Sequence, residues 1–160
     1  MAMSLITAMW CIFLILPAWL VHSSGQTTLI SGIIRFFFLQ VCHQLPERSF
    51  FLWGEPLAVC SRCAGFYFGF FIGCLLFPSF LNEKEGSLLS PRYLIFAAIP
   101  PLVEFISSHA GFWDSTNLIR GLTGFILGFT ISAYVLVGLI NVFIRQYDSK
   151  GSACKTCPAS

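Results

Sequence analysis

The chain has 160 residues, of which 56% are hydrophobic and only 10% charged; Phe occurs 18 times and the formal net charge is +2. So small a charged fraction excludes an ordinary soluble domain and leaves no basic surface for nucleic acid. The apolar excess is that of a chain that lives in a lipid bilayer.

A bilayer core about 30 Å thick is crossed by about 20 apolar residues in a helix. The first such stretch covers roughly 3–21 and carries no charge. "LISGIIRFFFLQV" (29–41) follows, with Arg35 in its middle. It is too short to cross unaided, so an interfacial or re-entrant helix is expected there. Stretches 64–81 and 121–144 reach spanning length, and so does 93–112, which is apolar except for Glu104 and the Ser107, Ser108, His109 cluster. The expected fold is therefore all-α: an integral membrane bundle of four transmembrane helices plus a short helix before the second span. One polytopic domain would occupy 1–145, followed by a polar tail, 146–160, with Cys154 and Cys157 in a Cys-x-x-Cys pair.

Four spans place both termini on one side, and the loops after the first and third spans on the other. Lys and Arg divide almost evenly between the two sides, so they do not orient the chain. The expected partners are the bilayer and either a membrane protein or a second copy of the chain. The expected location is the bacterial cytoplasmic (inner) membrane.

The scarce polar groups gather in two segments that this topology brings to one interface. "VCHQLPERSFFLWGEPLAVCSRC" holds Cys42, His43, Glu47, Arg48, Cys60, Arg62 and Cys63; "EFISSHAGFWDSTNLIRG" holds Glu104, His109, Asp114, Asn117 and Arg120. A Cys-x-x-Cys pair lets two sulfurs grip one ion from a single turn, and zinc takes four thiolate or imidazole ligands in a tetrahedron. Cys60 and Cys63 fit that role. Cys42 is a third ligand across a Pro- and Gly-containing loop, and His43 or His109 is the fourth.

The same atoms allow a second reading. A helix N-terminus and the charge of Arg62 both favour thiolate over thiol, as a membrane thiol–disulfide oxidoreductase working through Cys60 and Cys63 would require. A plain disulfide in a non-catalytic scaffold or partner subunit is the third. Whether the protein is an enzyme stays open.

Ionisable groups within a span are costly and face a bundle interior or a cavity. Glu104 is thus expected either as a proton carrier or partner of the metal site, or as half of an ion pair with Arg120 or Arg48. Arg48 has Asp114 as another candidate partner, and Arg120 has Glu47. Asp114 or Ser115 can cap the fourth span, and Asn117 and Arg120 share a face of it. Gly65, Gly69 and Gly73 fall on one helix stripe, as do Gly124 and Gly128. Small-residue ridges of this kind let helix backbones approach closely in lipid, so the second and fourth spans are expected to pack there. "GFYFGFFI" (65–72) and "GFILGFTI" (124–131) also match at both Gly, both Phe and the final Ile, the trace of a duplicated hairpin.

"CHQLPERSF", "LAVCSRCAGFYFG" and "STNLIRGLTGFILG" together resemble the DUF2085 family of small multi-pass membrane proteins of bacteria and archaea. The resemblance covers about residues 36 to 130. It implies that Cys42, His43, Gln44, Pro46, Arg48, Ser49, Cys60, Arg62, Cys63, Gly65, Tyr67 and Gly69 belong to one signature. Ser115, Asn117, Arg120, Thr123, Gly124 and Gly128 belong to the other. It assigns no activity. Relatives often carry Asp-Gly near Glu104, where this chain has Glu-Phe.

Overall fold

The computed structural model describes residues 2–80, 90–111 and 115–154. Helix α1 (Ala2–Ser24) buries Cys11, Leu14, Ala18 and Val21, one stripe at helical spacing, and exposes Leu5, Ile6, Met9, Ile12 and Phe13. It ends where Gly25 takes φ +67° and its N–H donates to Val21 O, a left-handed cap that glycine adopts without a Cβ clash.

Thr28 caps the next helix, α2 (Leu29–Leu39), its hydroxyl accepting from the Ser31 N–H at 3.3 Å. α2 folds back along α1, with Phe37 and Phe38 edge-on to Trp10 at 5.9 and 5.6 Å between centroids. It buries Ser31, Ile34 and Phe38 and leaves Ile30, Ile33, Phe36 and Phe37 outside. This is the short helix expected before the second span. A 3-10 turn (Pro46–Arg48) then leads into a two-stranded antiparallel hairpin, β1 (Phe51–Leu52) with β2 (Glu55–Pro56). The all-α expectation misses this ribbon, whose turn residues Trp53 and Gly54 both have positive φ, as a two-residue hairpin turn demands.

Helix α3 (Ser61–Phe80) is followed by α4 (Pro91–His109) and α5 (Asn117–Cys154). α3 and α5 lie side by side and parallel, at backbone contact. A Cβ added at Gly65 would sit 2.0 Å from Gly121 O, and one at Gly69 would sit 2.2 Å from Phe125 O. The reciprocal contacts are Gly124 against Arg62 O (2.2 Å) and Gly128 against Phe66 O (2.0 Å). Shifting each residue by the offset of the two matching motifs exchanges one pair of contacts for the other. The pair is therefore related by a local two-fold axis, the packing that the glycine stripes predict. α4 runs antiparallel to α5, with Ser90 O accepting from Tyr134 Oη at one end and Ser108 Oγ from Arg120 Nη2 at the other.

Three described helices are long and apolar enough to cross a membrane: Met3–Ser24, Ser61–Pro78 and Asn117–Val142. The expected span at 93–112 is α4, which does not reach that apolarity because it carries Arg92, Pro100, Pro101, Glu104, Ser107 and Ser108. The boundaries also shift: 64–81 begins three residues earlier, at Ser61, and 121–144 begins at Asn117. The expected tail from 146 starts as helix, since α5 continues to Cys154. No proline falls within α5 to interrupt its backbone ladder. Cys157 lies outside the described residues.

The main core gathers Leu14, Ile34, Phe38, Leu57, Ala58, Val59 and Ala64, where α1, α2, the hairpin and the start of α3 meet, and Cys42 is part of it. The Ala58 N–H donates to Leu14 O at 3.4 Å, tying the chain that enters α3 to α1.

Candidate metal centre

Cys42 leaves α2 with its N–H bonded to Phe38 O at 2.9 Å, which turns the side chain inward. Its thiol is buried, and its Sγ accepts the backbone N–H of Cys60 at 3.2 Å. Cys60 and Cys63 flank the first turn of α3, and the Ala64 N–H on Cys60 O fixes that turn. The three Sγ atoms lie within 4.8 Å of one another, and all three cysteines are free thiols.

Hydrogen bonds from the Cys60 and Cys63 thiols, with backbone N–H groups of Cys60 and Gln44, hold the Cys42 thiol well below the usual thiol range. The Cys60 thiol, donating to that neighbour, is pushed up. Hydrogen-bonded in this way, Cys42 is the sulfur of the three prepared to be a thiolate, the form that ligates metals. Gln44 adopts φ +51° and donates Nε2–H to Arg35 O at 2.6 Å, so the turn after Cys42 is held from its side chain as well.

Beside the sulfurs lies an ionic cluster. Arg62 donates from Nε to Glu104 Oε2 at 2.9 Å, and from Nη2 to the same oxygen. Arg120 Nε approaches Oε1 at 3.4 Å, and Ser115 Oγ donates to Oε1 while accepting from Arg120 Nε at 2.8 Å. Arg62 also lies over the Phe105 ring. The guanidinium expected to favour thiolate at the Cys pair is thus directed to α4, where it bonds the Glu104 carboxylate. Arg62 and Cys63 share the wall of a cavity of about 190 Å³ with Phe66, Tyr67 and Pro101.

The other expected residues divide as follows. His43 is exposed and is not one of the clustered ligands. The side chain of His109, at the end of α4, and the whole of Asp114 lie outside the described residues. Arg48 is exposed and takes no part in an ion pair among the described residues; only its carbonyl is used, accepting from Ser61 Oγ at 2.8 Å. Arg120 pairs with Glu104 rather than Glu47. Asn117 joins the segments by donating Nδ2–H to Glu47 O and Ser49 O at 3.2 and 3.1 Å. Sequence reasoning misses that Ser115 bridges Glu104 and Arg120 and that Ser108 accepts from Arg120. The only signal is that both hydroxyls fall near Glu104 or Arg120 in sequence.

Fold and site together define a helical membrane protein whose first parallel helix pair carries, at one end, a three-sulfur cluster beside a buried ionic network. The chain belongs to the DUF2085 family, described as predicted membrane proteins, whose model matches residues 42–134 and so includes every residue of both clusters. An uncharacterized protein of Methanocaldococcus jannaschii is 37% identical over 130 residues, 81% of this chain and 83% of that one. One from Methanothermobacter thermautotrophicus is 30% identical over 100 residues, 62% of this chain and 88% of its own. Both relatives are archaeal, which gives the expected bacterial inner membrane no support. No solved structure matches.

Proposed function

We propose that this membrane protein binds a single metal ion, zinc first, through the thiolates of Cys42, Cys60 and Cys63. The observation that carries the reading is the convergence of three sulfurs from two distant segments to within 4.8 Å, with backbone N–H groups aimed at one of them. Thiolate-rich sites suit zinc and other soft ions. Zinc's fourth position falls to a neutral donor, and a closed shell would make the ion structural, welding the loop after α2 to the start of α3. Arg62, which an oxidoreductase would use to hold a thiolate, is occupied by Glu104.

Elemental analysis of purified protein with parallel thiol counting tests the reading. One zinc per chain, lost in a Cys60→Ser, Cys63→Ser variant, is the expected result. Absence of metal together with a Cys60–Cys63 bond that cycles with a quinone transfers the site to a membrane thiol–disulfide oxidoreductase. An inert disulfide leaves a scaffold or partner subunit.

A further inference from the structure

The ionic cluster beside the sulfurs carries an unequal count of charges. Glu104 faces two guanidinium groups, Arg62 and Arg120, and the Glu104 and Arg120 side chains are only 7% and 9% exposed. Among the described residues these are the ion pairs formed, so the triad holds one positive charge in excess. A structural clamp between helices is complete with one acid and one base. The second arginine, Arg62, is 30% exposed, so water solvates only part of its charge and an anion nearby stabilises the rest. The sulfur cluster is that neighbour, since Cys63 follows Arg62 in the chain and lines the same cavity.

Three thiolates around a divalent ion carry a net charge of −1; around a monovalent ion they carry −2. We propose that the Arg62–Glu104–Arg120 triad is the counter-charge of the metal centre and tunes it for a divalent over a monovalent ion. The inference rests on the three-thiolate reading above. With the divalent ion, site and triad sum to zero; with the monovalent ion an uncompensated anion is left where charges are poorly solvated. The serine hydroxyls of Ser108 and Ser115 hold Arg120 toward Glu104 and so fix the spacing of the triad.

The test is the ratio of Zn(II) to Cu(I) affinity, measured by chelator competition on the full chain in detergent. Glu104→Gln raises the triad to +2 and should move the ratio toward Cu(I). Ser108→Asp, beside Arg120 and outside both ion pairs, lowers the total by one charge and should move it toward Zn(II). Each shift should be roughly tenfold, as one unit charge at close range implies in a partly screened interior. Opposite shifts support the proposal, because damage to the fold would weaken both metals together. Ratios unchanged, or moving the same way in both variants, overturn it while leaving the sulfur site standing. If Glu104→Gln does not fold, the direction of Ser108→Asp decides alone. A wild-type protein that holds neither metal brings down the sulfur reading and the triad's role with it.

Discussion

The Cys60 N–H points at Cys42 Sγ from 3.2 Å away, across 18 positions of sequence. The loop carrying Cys42 is thus registered against the start of α3 by a sulfur acceptor. Replacing Cys42 with Ser keeps an acceptor of similar shape and removes a soft ligand. Zinc affinity should fall by well over the roughly 10–100-fold that loss of an outer-shell partner costs. The α-helical circular dichroism should stay within error of wild type. Retained stoichiometric zinc in Cys42→Ser would show that the third sulfur is a bystander.

Gly69 and Gly32 make a matched pair. A Cβ at Gly69 collides with the Phe125 backbone carbonyl at 2.2 Å, whereas one at Gly32 meets nothing within 4 Å. Gly69→Ala should therefore cost about 1–3 kcal/mol, the usual range for overpacking against atoms that cannot yield. Gly32→Ala, inside α2, should gain about 0.5–1 kcal/mol from the helix preference of Ala. Thermal unfolding in detergent, followed by circular dichroism, should show the two shifts with opposite sign.

Removing the carboxylate at Glu104 leaves two guanidinium groups facing each other. Breaking a buried pair costs about 3–5 kcal/mol, and the value here should lie toward or below the lower end because the Arg62 side chain is 30% exposed. Glu104→Leu should lower the melting temperature. Adding Arg62→Leu should recover part of that loss, the signature of a repulsion removed. A double variant no more stable than Glu104→Leu alone would place the damage elsewhere.

The glycine stripes were legible because they follow from one rule, helical spacing of small residues in lipid, and the structure repeats them contact by contact. The meeting of Cys42 with the Cys60–Cys63 pair was legible from spacing: a Pro- and Gly-containing loop between them is long enough to bring a third ligand back to the pair. Ion-pair partners were legible only in part: Glu104 with Arg120 is one of the expected pairings and is formed, whereas Arg62 is not among the expected partners of Glu104, because the choice among the arginines depends on helix rotation. The turn of Arg62 toward α4 is decided by where Glu104 points, and no periodicity in either segment records that. The hairpin was equally invisible. Trp53-Gly54 lacks the Asn or Asp that marks most such turns, and the Trp53 ring stacks on His22, 5.9 Å between centroids, a contact made only after folding.

The parallel arrangement of α3 and α5 carries a consequence for topology. Where two parallel neighbours both span, the chain between them returns across the same thickness; α4 runs antiparallel to α5, with Ser90 at the level of Tyr134 and Ser108 at the level of Arg120. Its polar groups turn inward at Glu104, while Ile95, Phe96, Ile99, Leu102, Val103 and Ile106 face out, as a lipid-contacting helix requires. We predict that α4 crosses the bilayer, as the expectation for 93–112 had it, although it is less apolar than the three helices that reach spanning apolarity. Cysteines introduced at the exposed positions Arg48, Thr116 and Ser90 can be labelled with an impermeant thiol reagent in sealed, oriented vesicles, counting label added over the parent chain. Positions 48 and 116 should react from one face and position 90 from the other; reaction of all three from the same face would mean that α4 lies along the surface and that the parallel pair does not span.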